Sequence, residues 1–247
     1  MSINMKMSVK HVLAAALLAG GIGSAGTAGA QQLAGVSVGQ LRWELVDLTP
    51  DDGITPWIGM NSYATQSYAS IYDQEGNEID GVRIDRYGTT GFDNGYASMQ
   101  ANAQPDAANV LLTVHSGYGY VSANRSFRFI LSPHTQVNFF ADADLWATPE
   151  KPGASWPNAL AELYGSLPGY NDGERFMQSF HLTDGTLHDT LTVSAASQGE
   201  WVNGYLALDA YAVAESHAAP VPEPATYGML VGGVAVLALA GRRRRIA

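Results

Sequence analysis

Two apolar runs, one near each end and each set beside positive charge, decide how much of this chain is available to fold. At the front, Lys6 and Lys10 precede an uncharged run over 12–22, and Ala28-Gly29-Ala30 follows it just before Gln31. A positive start, a short apolar stretch and an A-x-A site are the parts of a secretory signal peptide. The run of about 11 residues is too short for a spanning helix and suits a processed segment. Residues 1–30 therefore read as an export signal, with Ala28 and Ala30 as the site offered to signal peptidase.

At the back, Val221-Pro222-Glu223-Pro224 leads into an uncharged stretch over 227–241, and Arg242, Arg243, Arg244 and Arg245 follow it. Pro222 and Pro224 supply no backbone N–H and keep the entry segment extended, open to a processing enzyme. The apolar stretch of about 15 residues makes roughly 22 Å of helix, short against a hydrocarbon core of about 30 Å. It spans only if the bilayer thins and the arginines snorkel to the headgroups. Four arginines favour the cytoplasmic side, which places the preceding domain outside, as the front end also demands.

The order Pro-Glu-Pro, short apolar helix, arginine cluster resembles the PEP-CTERM sorting signals of Gram-negative bacteria over Val221 to Ile246. The resemblance implies recognition by an exosortase, a membrane-embedded cysteine protease-transpeptidase, with Pro222, Glu223 and Pro224 as the motif of a substrate rather than of a catalyst. It further implies processing near that motif and delivery to the envelope or to an extracellular polymer matrix.

Between the two signals roughly 190 residues remain, enough for one domain with a sizeable core, over 31–216, with a linker over 217–221. Twenty-seven glycines, twelve tyrosines and many short polar breaks suggest an all-β chain. No cysteine is present, which excludes disulfides, thiolate zinc sites, thiol nucleophiles and a lipid-modified N-terminal cysteine. Residues 31–219 hold seven basic residues against 22 carboxylates, a balance of −15. Such a surface repels phosphate backbones, so nucleic acid is not an expected partner.

Strand-like runs recur at 40–48, 69–72, 78–86, 110–115, 127–131, 136–144, 175–182, 186–195 and 201–213. Their number predicts a single β-sandwich of jelly-roll kind. A minor helix is expected over 158–164, after Pro157. Asp184-Gly185 suits the centre of a type I′ hairpin, which would pair Leu182 with Leu187 and Phe180 with Asp189. That register also makes His181 and His188 cross-strand neighbours, too few ligands for a metal site.

Other constellations are weaker. The segment over 73–78 alternates oxygen-bearing side chains, but its glycine is misplaced for an EF-hand loop, and a hairpin turn is wanted there. Asp142 and Asp144 share a strand face without an evident partner. His115-Ser116 and Ser132-Pro133-His134 set hydroxyls beside imidazoles, yet neighbours in sequence do not make a triad, and no G-x-S-x-G elbow occurs. Trp57, Trp146, Trp156, Tyr164, Tyr118 and Tyr120 are expected in or near loops, where flat rings either close the core or stack on sugars. Trp146 and Trp156 are the candidate ligand-binding residues.

The sequence therefore predicts a non-enzymatic envelope or matrix protein without catalytic residues, metal or cofactor, first anchored in the inner membrane with its domain in the periplasm. Its expected partners are signal peptidase, exosortase, the inner membrane and a polysaccharide. The alternative is a carbohydrate-binding module of the exopolysaccharide matrix, with an envelope-polymer hydrolase third. The last would need two carboxylates converging at glycosidase separations.

Overall fold

A computed structural model describes residues 32–149, 157–167 and 173–216. The expected signal peptide, the linker, the sorting motif and its apolar helix lie outside them. Twelve strands are found among the described residues: β1 (Gln32–Asp47), β2 (Ile58–Tyr72), β3 (Glu78–Ile84), β4 (Gly88–Asp93), β5 (Ala97–Ala103), β6 (Ala108–Val114), β7 (Gly117–Leu131), β8 (Thr135–Thr148), β9 (Asn158–Leu167), β10 (Glu174–Leu182), β11 (Gly185–Ala196) and β12 (Val202–Ser216). They form two six-stranded antiparallel sheets. Sheet A runs β11-β8-β1-β6-β5-β4 and sheet B runs β10-β9-β12-β7-β2-β3.

Period-two alternation makes this layered arrangement. On β6, Ala108, Val110, Leu112 and Val114 point inward, while the residues between them are partly exposed. On β12, Leu206, Leu208, Ala210, Ala212 and Ala214 do the same from the opposite sheet. One core joins both inner faces, and Phe129 of β7 meets Phe139 of β8 edge-to-face at 5.2 Å across it. The all-β, two-sheet expectation holds.

Two local expectations fail. The segment over 158–164 is not helical but belongs to β9, paired with β12 and β10. Its helix-forming residues alternate, so that Ala159, Ala161 and Leu163 are fully buried while Leu160, Glu162 and Tyr164 face outward. Burial on a sheet outweighs intrinsic helix propensity here.

The Asp184-Gly185 hairpin is also absent. Strand β10 pairs with β9 in sheet B and β11 pairs with β8 in sheet A, so the segment is a corner between sheets. Phe176, Phe180 and Leu182 face Leu187, Leu191 and Val193 across the core instead of sharing one sheet face. The glycine is still required, because Gly185 has φ of +85°.

A buried cation pins one side. The Arg125 guanidinium donates to the carbonyls of Ala64 at 2.8 Å, Ser126 at 2.8 Å and Pro105 at 3.2 Å. It stacks on the rings of Phe127 and Tyr87. Burial lowers its pKa.

Candidate functional site

Both ends of the described domain lie together. Gln32, which opens β1, uses its side-chain oxygen to accept the backbone N–H of Glu215, the penultimate residue of β12, at 3.2 Å. Strand β12 then runs 15 residues to the other end of the sandwich, about 45 Å away at strand rise. There Val202 pairs with Leu131, which also pairs with Ile58 at the start of β2.

That remote end is rich in exposed apolar side chains. Trp57 and Trp201 are 50% and 59% exposed, and their rings meet edge-on at 5.6 Å. Trp43 and Val46 are exposed near the end of β1, and Leu48 and Ile54 in the loop after it. The loops are tied by Trp57 N–H to Ser132 Oγ at 2.8 Å and Leu48 N–H to the His134 carbonyl at 2.9 Å.

Beside this end, strands β2, β7 and β12 form a concavity of about 680 Å³ on the outer face of sheet B. Register sets its walls. Asn61 and Tyr205 both pair with Arg128, and Asn203 pairs with Ile130. A bulge between Ser62 and Ala64 inserts Tyr63 as an unmatched residue. The Tyr63 ring lies under the Arg128 guanidinium at 4.0 Å and meets the Tyr205 ring at 6.1 Å, nearly perpendicular.

Further along the same face, Glu162 of β9 stands directly opposite Asp209 of β12. Both are half-buried. Burial raises the Asp209 pKa, opposed by hydrogen bonds from the Asn124 amide and Tyr164. Burial also raises Glu162, with the neighbouring Asp209 charge adding to it. Tyr164 is pushed up in turn, first by burial and then by Asp209. Beyond the pair, Tyr211, Tyr120 and Tyr68 form a run of ring contacts at 5.1 and 5.5 Å.

The residues singled out from sequence are mostly dispersed. Trp146 lies within β8, two residues before that strand ends at Thr148, half-buried on the outer face of sheet A, with its ring laid over Gly35 of β1. Tyr164, Tyr118 and Tyr120 likewise belong to strands, and of the expected loop aromatics Trp57 is the one described outside a strand. Trp156 lies outside the described residues, as do Ala28, Ala30, Pro222, Glu223, Pro224, Arg242, Arg243, Arg244 and Arg245.

Asp142 and Asp144 do share a face, and each has a partner: Arg42 at 2.9 Å for Asp142, and His188 for Asp144. His181 contacts Asn158 at 2.7 Å in the other sheet, so the two histidines are not ladder neighbours. Asp73 caps the β2–β3 turn as expected, accepting N–H groups of Glu75 at 3.0 Å and Asn77 at 2.8 Å. Those bonds hold its pKa down, the Asn77 side chain foremost. Ser132 bonds Thr135 at 2.8 Å rather than a histidine.

Sequence reading missed Arg128, Tyr63, Asn203, Tyr205, Asp209 and Glu162. Alternation along β12 puts Asn203, Tyr205 and Asp209 on one face, but nothing in the sequence says which strands flank it.

Among the described residues no helix is long and apolar enough to cross a membrane, and no group of three or more His, Asp or Glu side chains is placed to hold a metal ion. No curated protein and no solved structure matches the chain. Comparison with protein families matches its C-terminal residues to the PEP-CTERM protein-sorting motif. The domain whose last strand ends at Ser216 is thus followed by a PEP-CTERM sorting motif over residues 220–245, and the chain is a PEP-CTERM sorting domain-containing protein.

Proposed function

We propose that this chain is a non-enzymatic protein of the cell envelope or extracellular matrix, exported through residues 1–30 and delivered by an exosortase that reads Pro222, Glu223 and Pro224. The motif match over 220–245 carries this reading. The inner membrane holds the chain first, with the domain in the periplasm and Arg242, Arg243, Arg244 and Arg245 on the cytoplasmic side. Replacing Pro222 and Pro224 by Ala tests it in the native host. The variant is expected to stay in the inner-membrane fraction with its tail attached, whereas normal release of the variant contradicts the reading.

The fold supports this role as a stable carrier of surface. Links β1–β2, β3–β4, β6–β7, β7–β8, β8–β9, β10–β11 and β11–β12 each pass from one sheet to the other, a wrapped arrangement that we read as jelly-roll-like. A binding role rather than a hydrolytic one is favoured by the setting of Glu162 and Asp209. They sit on adjacent strands of one sheet face, with Asp209 bonded to Asn124, rather than across a cleft from each other.

The second reading is a carbohydrate-binding module of the exopolysaccharide matrix, favoured by the aromatic outer face of sheet B and by Trp146 on sheet A. Retention of the protein by the producer's own exopolysaccharide tests it. Loss of retention in Trp146→Ala or Trp156→Ala with unchanged folding assigns those residues, and failure of the unaltered protein to be retained contradicts the reading.

A further inference from the structure

The concavity on sheet B differs from the rest of this acidic domain. Its lining includes Asn61, Tyr63, Arg128, Asn203 and Tyr205 and contains no carboxylate, although residues 31–219 carry 22 of them. Arg42 and Arg83 are each paired with an aspartate at 2.9 Å. Among the described residues, no carboxylate lies within ion-pair distance of Arg128. Arg128 is exposed, and its guanidinium carbon sits 4.0 Å from the centre of the Tyr63 ring. A guanidinium seated on a ring face keeps N–H donors free at its edge, and its fork can donate two parallel hydrogen bonds to a carboxylate.

The neighbouring groups define the rest of the ligand. Asn61 and Asn203 are exposed amides, each with two donors and an acceptor, suited to hydroxyl groups. Tyr63 is exposed and offers ring surface to an apolar C–H face, while the buried Tyr205 backs it from the floor of the groove. Carboxylate, hydroxyls and an apolar ring face together describe an acidic sugar. The volume falls within the range of about 300–1,000 Å³ usual for ligand sites. An open sheet face also lets a polymer pass through. The site lies at the end remote from Gln32 and Glu215, so attachment through either terminus leaves it free.

We propose that this groove binds a polysaccharide containing carboxylated sugars, with Arg128 on the sugar carboxylate and Asn61 and Asn203 on its hydroxyls. The proposal rests on the carbohydrate-binding reading above and gives it a ligand class and a place. The excess of negative charge over the rest of the domain opposes adsorption of a polyanion elsewhere, so retention reports on the groove.

The test is binding of the full chain, in detergent, to immobilised polygalacturonate and to the same polymer after its carboxyl groups are reduced to alcohols. Polygalacturonate is expected to retain the protein, with affinity at least tenfold lower for the reduced polymer and for Arg128→Gln. Asn203→Asp, which adds a negative charge to the groove, should lose binding similarly. Both residues are exposed, and unchanged melting curves will show that the variants fold. Binding of Arg128→Gln as tight as that of the unaltered chain overturns the groove assignment. If Trp146→Ala then abolishes binding, the carbohydrate reading survives on sheet A. Equal retention by both polymers overturns the carboxylate assignment alone, and retention by neither polymer overturns the ligand class.

Discussion

The side-chain oxygen of Gln32 accepts the backbone N–H of Glu215, joining the first residue of β1 to the end of β12. One contact between residues 183 positions apart thereby sets the polarity of the molecule. The segments leading to residues 1–31 and to the C-terminal sorting motif start from one end, and the exposed Trp57–Trp201 pair occupies the other. Gln32 is only 4% exposed, so Gln32→Ala is expected to cost about 1 kcal/mol, the usual value of a hydrogen bond. Hydrogen exchange at the Glu215 amide should accelerate, whereas unchanged protection there would show that the contact does not hold the end closed.

Arg125 is the buried group whose loss should cost most. Arg125→Met fills similar space but leaves the carbonyls of Pro105 and Ser126 without their side-chain donor, and that of Ala64 with only the Ser126 hydroxyl at 3.3 Å. A loss of about 3 kcal/mol is expected, read from the urea midpoint. A change below about 1 kcal/mol would mean that water replaces the guanidinium without difficulty.

The Glu162–Asp209 pair makes stability depend on pH in a definite direction. Both folded pKa values lie above the ordinary values of 4.5 and 3.8. Below those ordinary values both states of the chain are protonated and no penalty exists. As pH rises from there through the raised folded values, the unfolded chain ionises first and stability is lost. Asp209→Asn keeps an acceptor for Asn124 and removes a charge. It is expected to raise Tm at pH 7 by roughly 2–4 °C, about 1 kcal/mol, with the gain vanishing near pH 3. A gain independent of pH would contradict this origin.

Gly35 gives the Trp146 ring its seat. A Cβ at position 35 would lie 2.1 Å from a ring carbon, so Gly35→Ala must displace the indole. The expected result is a net loss of about 1–2 kcal/mol and a red-shifted tryptophan emission, despite the backbone entropy that alanine saves.

Layering was legible because it depends on alternation within each strand. Residues 110–115, 136–144 and 201–213 were readable from bulky apolar side chains, and they lie within or close to β6, β8 and β12. Strands β4 and β5 were not readable, since small side chains, Thr90, Ala97, Ala101 and Ala103, make up most of their buried face and leave Met99 as its one large buried residue. Most of β7 was hidden in the same way: Tyr118 and Tyr120 alternate with glycines that look like loop and in fact let the backbone approach Tyr72 and the core side chains Met99, Val114 and Leu112. The corner at Asp184-Gly185 shows a deeper limit. Leu182 and Leu187 require a common apolar environment, which a hairpin and a sheet-to-sheet crossing supply equally. The same limit hid the groove, since Arg128, Tyr63 and Tyr205 meet only through pairings between strands far apart in sequence.

Sorting by the C-terminal motif is the central claim, and intact mass measured on each cell fraction, from the native host with and without its exosortase, tests it most directly. The account predicts that the wild-type strain yields protein lacking residues 1–30 and the segment after Pro224, recovered outside the inner membrane. The strain without exosortase should retain the tail, with the protein held in the inner membrane. A tail that remains attached in both strains would contradict the account and make residues 227–245 a plain membrane anchor.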